Sequence, residues 1–424
     1  MITKVSLFNQ RRDFIFTFFL LLFLSFYSAL MEYNNYKNLT RFDSQLLTAT
    51  LVKQYDKTKT TKKGNKHTYK VLKLKSNSGV TFYTSTNKQN LHIGETIDFE
   101  VWLTRVSFYE YMTSFYAFSK IRTIHQTSSL KERFNKLIEH QHSNKTVAHI
   151  YQALLSARQL DSTLQQQFST LGISHLIAIS GFHLGVLSAL LFFLLKKPYQ
   201  VFQNRYFPYR NFKRDSFIFI GFILFTYLLF LDLPASLLRA FGMLVVGFIL
   251  YDRGIKVISM QTLFLTTLFL LALFPRLWFS IGFWLSIAGV FYIFLFLIHF
   301  KNLSKFWQFL LIPFWVYLMM LPYSLTIFAN FSIYHPLSIL WSTLFTLFYP
   351  LSIILHLFNY GDLLDWVLLA AINFQTDSIH LHLNAEWLFL YMIISLGSMY
   401  SKKLAYVTLF VSSTIFIHAI YNVT

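Results

Sequence analysis

The sequence is dominated by long apolar runs that alternate with short polar segments. Of its 424 residues, 55% are hydrophobic and only 13% are charged, a balance typical of chains that cross a membrane repeatedly. Runs close to the length of a bilayer span occur at 14–31, 173–195, 216–232, 234–251, 257–274, 277–300, 307–328, 335–358, 386–400 and 404–420. The sequence therefore predicts a polytopic α-helical membrane protein with about ten transmembrane helices.

Basic residues in the polar segments indicate how these helices are oriented. The segment 196–214 contains six Lys or Arg residues, and short loops this basic stay on the cytoplasmic side of a membrane. Alternating spans then place Arg253 and Lys301 on the same side, together with the N-terminus. After Pro336 the number of crossings is ambiguous, because residues 361–385 could form a surface helix, a re-entrant segment or a poor span.

One long segment, residues 32–145, departs from the apolar pattern. It contains 19 Lys or Arg and 9 Asp or Glu residues, so a polyanion is its natural partner. Five β-rich runs separated by turn residues lie at 46–55, 67–76, 79–85, 96–105 and 114–123. Five short strands fit a small inserted β-barrel of the OB type, a fold that often binds single-stranded nucleic acid. They also fit other small β domains.

Lysines and aromatic residues lie close together in the middle of this basic segment. Lysines bind phosphates and aromatic faces stack on bases, so this composition suits a nucleic-acid strand. The candidate DNA-binding residues are Lys66, Tyr69, Lys70, Lys73, Lys75, Phe82 and Tyr83. Spacing alone does not place them on one face. The lysines could instead form a solvated rim around a core of aromatics, or the segment could attract anionic lipid headgroups.

The stretch Leu171–Leu187, LGISHLIAISGFHLGVL, is apolar enough to cross a bilayer but carries several polar side chains. Polar groups at membrane depth need a partner or a wet cavity. The candidate path-lining residues of the membrane region are His175, Ser180, Gly181, His183, Gly185, Arg239 and Asn330. The two glycines form a Gly-x-x-x-Gly pair that permits close helix contact. Alternatively, the polar groups only bond neighbouring helices, and the arginine extends to a headgroup.

Four ordered blocks of this chain resemble the membrane domain of the ComEC family of DNA internalisation-related competence proteins. The first is the stretch Leu171–Leu187, and the second is Pro234-Ala235-Ser236-Leu237-Leu238-Arg239-Ala240, which is similar to the family's Pro-x-Ser-x-x-Arg-Ala segment. The third is Pro275 with Gly282-Phe283-Trp284-Leu285-Ser286, where Trp284 replaces the usual Gln. The fourth is Leu321-Pro322-Tyr323 with Ala329-Asn330 and Pro336.

The resemblance implies a channel or permease that moves single-stranded transforming DNA through the bacterial inner membrane into the cytoplasm. It implies an extracytoplasmic OB-like domain that captures the strand. It also implies partners: a periplasmic DNA receptor, a cytoplasmic helicase or motor and a separate nuclease, with membrane lipid around the helices and oligomerisation open. The expected organisation is an anchor helix (1–31), the basic domain (32–125), amphipathic connecting helices (126–172), the competence-type transmembrane domain (173–358) and C-terminal helices (359–424).

The motifs for catalysis and cofactor binding are missing from the sequence. There is no cysteine, no phosphate-binding loop, and no His-x-His-x-Asp-His cluster, since His380 and His382 are not followed by Asp-His. By resemblance, the chain is expected to be a short form without the metallo-β-lactamase-like domain. We therefore expect no catalytic residue, metal, cofactor or enzymatic activity in this chain.

Two other functions remain open at this point. In the first, Ser180 and a histidine form the dyad of an intramembrane serine hydrolase, although two groups three residues apart on one helix leave no evident oxyanion donor. In the second, the chain transports a small anionic solute, for which the basic segment would be an unexplained addition.

Overall fold

The computed structural model describes residues 10–60, 66–86, 91, 93–103, 106–125, 130–255, 257–374 and 378–422. The structure is mostly helical, at 68%. It divides into two compact units. We call Met1–Ile15, Leu137–Thr267 and Ile281–Thr424 the helical unit, and Phe16–Lys136 with Leu268–Ser280 the sheet unit.

The sheet unit contains most of the first helix, a six-stranded sheet and one short helix. Its elements are α1 (Arg11–Leu39), β1 (Ser44–Thr60), β2 (Lys66–Ser76), β3 (Thr81–Thr86), β4 (Thr96–Trp102), α2 (Phe108–Met112), β5 (Phe115–Tyr116) and β6 (Ser119–His125). The strand order is β5-β3-β2-β1-β4-β6, antiparallel except for the parallel pair β3 and β5. In the described residues β5 and β6 are the two edges of this sheet and do not pair with each other, so the barrel expected from sequence is not closed.

Alternation along the strands builds the core of the sheet unit. In β4, Ile97, Phe99 and Val101 are fully buried while the residues between them are not, as expected for side chains that alternate between the two faces of a strand. Leu72 and Leu74 of β2 bury their side chains in the same core. The register of each strand is therefore set by which face holds these apolar residues.

Arg276 forms hydrogen bonds with three separate parts of the sheet unit. Arg276 lies on a 3₁₀ turn at Pro275–Phe279 and donates a hydrogen bond to the Gly79 carbonyl at the β2–β3 turn. It also donates to the Tyr111 hydroxyl over 3.2 Å and to Glu32 of α1 over 3.4 Å. Burial raises the pKa of Tyr111 to about 12, so its hydroxyl stays protonated and accepts from the arginine.

The helical unit contains the remaining helices and a two-stranded sheet. The helices are α3 (Leu130–His140), α4 (Lys145–Ser156), α5 (Ser162–Thr170), α6 (Ser174–Ile177), α7 (Gly181–Tyr206), α8 (Phe212–Phe230), α9 (Ala235–Asp252), α10 (Met260–Leu273), α11 (Ile281–His299), α12 (Lys305–Ile327), α13 (Ser338–Leu357), α14 (Asp365–Asn373), α15 (Ala385–Gly397) and α16 (Lys402–Tyr421). The strands are β7 (Asn330–Phe331) and β8 (Ile379–His380). Helices α3 and α10 each pass from one unit into the other.

Six helices of the described residues are long and apolar enough to cross a membrane, fewer than the ten predicted. They are Arg11–Leu39, Gly181–Tyr206, Ile281–His299, Lys305–Ile327, His335–Leu357 and Lys402–Tyr421. Two predicted spans fall on apolar helices of only 14 and 13 residues, α10 and α15. Because an untilted crossing takes about 20 residues, these two helices are short for one. The class of protein, a membrane protein, is confirmed, whereas the number of ten is not.

The predicted span 173–195 is not one helix. Gly172 has a positive φ of 71°, and the short helix α6 ends at Ile177, where Ala178 takes an extended conformation. The chain then starts a new helix with Ser180 as its N-cap, and α7 continues past the predicted end to Tyr206. Ser180 therefore lies at a helix start and not within a continuous span.

Candidate functional site

The break before α7 brings two of the sequence blocks into contact in the helical unit. The hydroxyl of Ser236, in the first turn of α9, donates a hydrogen bond to the Ile179 carbonyl over 2.9 Å. This carbonyl belongs to the extended residues between α6 and α7. A Cβ placed on Gly181 would lie 2.9 Å from the Cβ of Ala240, so α7 and α9 touch backbone to side chain at this point. Glycine is needed here because real Cβ atoms do not approach so closely.

Arg239 extends this contact to a third block. Its side chain lies between α9 and α11, with only 7% of the residue exposed. The guanidinium donates to the Gly282 carbonyl in the first turn of α11 and lies 5.8 Å from the ring centre of Phe283. A buried cation of this kind needs hydrogen bonds to be tolerated. We call the group Ser180, Gly181, Ser236, Arg239 and Gly282 the motif junction.

Ser180 and His183 interact directly within the first block. His183 Nδ1 lies 3.2 Å from the Ser180 backbone nitrogen and 3.1 Å from the Ser180 Oγ. Because a backbone N–H can only donate, Nδ1 accepts, and it can accept the hydroxyl proton as well. His183 is 1% exposed and packs edge-on against Phe345 and Tyr349 of α13. The pair therefore caps α7 and holds the histidine in an aromatic pocket.

The other membrane candidates lie away from the motif junction. His175 is exposed, with Nε2 at 3.3 Å from the Ser342 hydroxyl of α13. A Cβ placed on Gly185 would have nothing within 4 Å, and this glycine borders an open apolar groove that also includes Ala189, Thr346 and Pro350. Asn330 belongs to β7, where it pairs with His380 of β8. The structure thus brings together only Ser180, Gly181, His183 and Arg239 of the predicted set.

A row of basic and aromatic side chains crosses four strands of the sheet unit. Lys53 of β1 pairs with Lys73 of β2, Lys73 with Tyr83 of β3, and Tyr83 with Tyr116 of β5. Directly paired residues project from the same face of a sheet. The Lys73 ammonium lies 5.7 Å from the Tyr83 ring centre, and 51% of Tyr116 is exposed. We call these four residues the Lys–Tyr row.

The register separates the predicted DNA-binding residues. Tyr69 and Lys75 alternate in phase with Lys73 along β2 and so share the face of the Lys–Tyr row, whereas Lys70 projects from the opposite face. Phe82 is a correction, because it is fully buried and packs against Phe99 and Phe115, so no base can stack on it. Lys66 begins β2, but its side chain lies outside the described part of the structure.

The other end of the same face is acidic. Asp98 and Glu100 of β4 alternate with the buried residues of that strand. The Glu100 carboxylate forms an ion pair with Arg122 of β6, and that of Asp98 is hydrogen-bonded to His125 of the same strand. Hydrogen bonds from Thr48 and then from His125 lower the pKa of Asp98. The face therefore has a cationic, aromatic end at β1, β2, β3 and β5 and a charge-paired end at β4 and β6.

Sequence reasoning missed two members of the Lys–Tyr row, Lys53 and Tyr116. Lys53 precedes the predicted lysine and aromatic cluster in sequence and Tyr116 follows it by more than 30 residues, and only strand pairing brings the two into one row. Within the described residues, no group of three His, Cys, Asp or Glu residues is arranged to hold a metal ion. His380 lies in β8 and pairs by its backbone with Asn330.

Comparison with known proteins gives one match. The model of a protein family described as Competence protein matches residues 155–420, more than half of the chain, and this range includes every residue of the motif junction. No curated protein and no solved structure matches the chain.

Proposed function

This chain belongs to the Competence protein family, whose role is in DNA uptake, and from that premise we propose that it conducts single-stranded DNA across the bacterial inner membrane. The geometric observation that carries the proposal is the Lys–Tyr row, in which Lys53, Lys73 and Tyr83 are half-buried and Tyr116 is exposed. It pairs phosphate-binding cations with rings on which bases can stack. Such a surface suits a strand of any sequence, because every nucleotide has a phosphate and a π-face.

The helical unit supplies the second part of the proposal. A strand that crosses a bilayer needs a polar path held open between helices, because a charge in hydrocarbon costs several kcal/mol. The motif junction holds three helix ends together by hydrogen bonds and a close glycine contact. We assign it the role of bracing this path, with Arg239 as a positioning residue because its guanidinium already binds a backbone carbonyl.

The proposed setting follows from the charges. The N-terminus and the basic segment 196–214 face the cytoplasm, and the sheet unit faces outward, where it receives DNA from a periplasmic receptor. A cytoplasmic helicase or motor would pull the strand, and a separate nuclease would degrade its complement. These partners are inferred because the sequence contains no phosphate-binding loop and no metallo-β-lactamase signature.

The test measures entry of fluorescent DNA into the cytoplasm of a deletion strain. We expect entry when the strain carries the wild-type gene, and fluorescence retained outside the inner membrane when it carries none. A Lys53→Ala/Lys73→Ala/Tyr83→Ala variant that is present in the membrane at the wild-type level should bind less DNA and admit less. Equal entry with and without the wild-type gene would overturn the proposal.

The Ser180–His183 contact also favours a second candidate, a serine hydrolase. The 3.1 Å distance suits a hydroxyl activated by a base. However, Nδ1 also accepts the Ser180 N–H, which is what a helix cap requires. Purified wild-type and Ser180→Ala proteins incubated with peptide and ester substrates distinguish the two. Hydrolysis by the wild type alone would establish the dyad, whereas no hydrolysis by either leaves the capping role.

A further inference from the structure

A buried cluster of ionisable side chains lies in the helical unit, away from the motif junction. His142, in the loop between α3 and α4, has its Nδ1 2.8 Å from Asp365 Oδ1 and its Nε2 3.1 Å from His356 Nε2. The His142 side chain is 0% exposed and that of Asp365 is 16% exposed. Tyr151 of α4 stacks on the His142 ring with centres 4.6 Å apart. The cluster joins the loop before α4 to the end of α13 and the start of α14.

The contact between His356 and the Ser352 carbonyl determines which atom donates in each of the other hydrogen bonds. His356 Nδ1 lies 2.7 Å from the Ser352 carbonyl, which can only accept, so Nδ1 carries a proton. A neutral His356 then has a bare Nε2, and His142 Nε2 must donate to it. A neutral His142 consequently has a bare Nδ1, so Asp365 must donate and therefore be protonated. Two ion-pair forms are equivalent in proton number: imidazolium at His142, or at His356, with ionised Asp365.

Three contacts must be satisfied together: His356 with the Ser352 carbonyl, His142 with His356, and His142 with Asp365. Every protonation state that satisfies all three contains one proton more than the state with two neutral histidines and an ionised Asp365. If that proton leaves, one contact must fail, because either two lone pairs face each other between the histidines or a lone pair faces the carboxylate. From this geometry we propose that His142, His356 and Asp365 form a proton-operated latch, which holds the α13–α14 corner against the loop before α4 and opens when one proton is released to solvent.

The surroundings of the cluster set the direction of the response. Burial, followed by the charge of Asp362 on the 3₁₀ turn Gly361–Leu364, raises the pKa of Asp365 from 3.8 to about 6. Burial lowers the pKa of His142, so the proton is held at the carboxyl end and a second proton is resisted. Tyr151 is the titratable residue that α4 presents to the cluster, and α5, which contacts α14, contains none.

Because the folded pKa of Asp365 is the higher one, protonation stabilises the latch at low pH. The contribution is complete below about 3.8, the ordinary pKa, and is lost as the pH rises through about 6. Opening would affect the motif junction through α13, because Phe345 and Tyr349 of that helix form the pocket of His183, which contacts Ser180 of the junction. The latch is thus a conformational device separate from the DNA surface, and its existence does not depend on the proposed function.

The absence of cysteine from the sequence makes a direct test simple. Ser143→Cys and Leu363→Cys place spin labels at exposed positions on the two sides of the latch in the full-length protein in nanodiscs. Electron paramagnetic resonance at pH 5 to 8 should show a short, narrow distance at low pH and a longer, broader one at high pH, with a midpoint near 6. An unchanged distance across this range would overturn the proposal without any further variant.

Two substitutions sharpen the result. Asp365→Asn supplies a neutral N–H donor to His142 Nδ1 at every pH, so the distance should stay short up to pH 8. Asp161→Asn is the matched control, because Asp161 is also near a histidine, 3.6 Å from His149, but 73% of its side chain is exposed. This control should retain the wild-type transition. If Asp365→Asn opens with the wild-type midpoint, the proton is not held by this cluster.

Discussion

The two units differ in where their positively charged side chains lie. On the sheet unit, Lys53 and Lys73 lie on the face of a sheet that also holds the tyrosines, and both are half-buried, so that solvent and salt reach part of each side chain. In the helical unit, Arg239 is buried and donates to the Gly282 carbonyl. Exposed cations bind a polyanion loosely and respond to salt, whereas a buried cation fixes the position of the helices around it. We therefore expect the sheet unit to govern affinity and the helical unit to govern passage.

The first prediction, Arg239→Ala, tests whether the helical unit governs passage of the strand separately from its binding. The substitution removes the hydrogen bond from the buried guanidinium to the Gly282 carbonyl. A hydrogen bond to a charged group contributes roughly 1.5–3 kcal/mol, so uptake should fall about 10- to 100-fold. DNA binding at the outer surface should remain unchanged. Uptake of labelled DNA and surface-bound DNA are measured on the same cells, with the amount of membrane-inserted protein determined by immunoblot.

The matched control for this prediction is Arg253→Ala, which removes an exposed arginine from the other end of α9. It should change uptake less than about twofold, as is usual for surface substitutions. If the two variants have equal uptake at equal protein levels, burial of Arg239 is irrelevant to passage. If Arg239→Ala also loses surface binding, the separation of roles between the two units is wrong.

How much of this arrangement was predictable depends on whether the signal is local. The apolar runs and the excess of basic residues at 32–145 are local properties of the sequence, and they predicted a membrane protein with an inserted basic segment of strands. The contacts of Arg239 with Gly282 join residues 43 positions apart. No periodicity reports such a pair, so the sequence identified the arginine as unusual without identifying its partner.

The wrong or incomplete predictions have the same origin. Phe82 and Tyr83 are adjacent and both aromatic, yet one is core and the other lies in the Lys–Tyr row, because neighbouring residues of a strand face opposite sides. Only the register decides which is which. Similarly, the number of ten helices came from apolar composition, which does not reveal that α10 and α15 are only 14 and 13 residues long.

The second prediction tests the close contact in the helical unit. Gly181→Ala forces a methyl group to within 2.9 Å of the Ala240 Cβ, and overpacking of this kind costs typically about 1–3 kcal/mol. The melting temperature of the purified protein in nanodiscs should fall accordingly. Adding Ala240→Gly should recover much of the loss, since it removes the opposing atom.

Gly185→Ala is the control for that prediction, one helical turn farther along α7. Nothing lies within 4 Å of its Cβ position, and alanine favours a helix over glycine by about 1 kcal/mol, so the melting temperature should stay the same or rise. A loss of stability at Gly185 equal to that at Gly181 would show that the Gly-x-x-x-Gly pair acts as a unit. No recovery in Gly181→Ala/Ala240→Gly would place the critical contact elsewhere.

The third prediction concerns the sheet unit and its salt dependence. For single strands each neutralised phosphate contributes about 0.7 to the slope of log affinity against log salt, so Lys53→Ala/Lys73→Ala should reduce the slope by roughly 1.4. Tyr83→Ala should instead weaken binding at every salt concentration, by about 1–3 kcal/mol if one base stacks there. Fluorescence anisotropy with a labelled oligothymidine and the full-length protein measures both.

Lys120→Ala is the matched control for the lysines, because Lys120 is exposed on β6. It lies opposite Glu100 in the strand register, at the charge-paired end of the sheet. Its slope should equal that of the wild type. If Lys120→Ala reduces the slope as much as one lysine of the Lys–Tyr row, binding follows the net charge of the unit and not a defined surface. The comparison between the units would then rest on the helical unit alone.

The smallest effect is expected at Trp284, where this chain departs from the family's usual Gln. Trp284 is 41% exposed, whereas its neighbour Phe283 is fully buried beside Arg239. Trp284→Gln should therefore change uptake less than about twofold, because the side chain lies outside the motif junction. Phe283→Ala is the contrasting variant, since truncating a buried phenylalanine costs about 3–5 kcal/mol. A large loss in Trp284→Gln at normal protein level would mean that the outward face of α11 contacts the strand or a partner, so that passage would involve more of the helical unit than the buried contacts of Arg239.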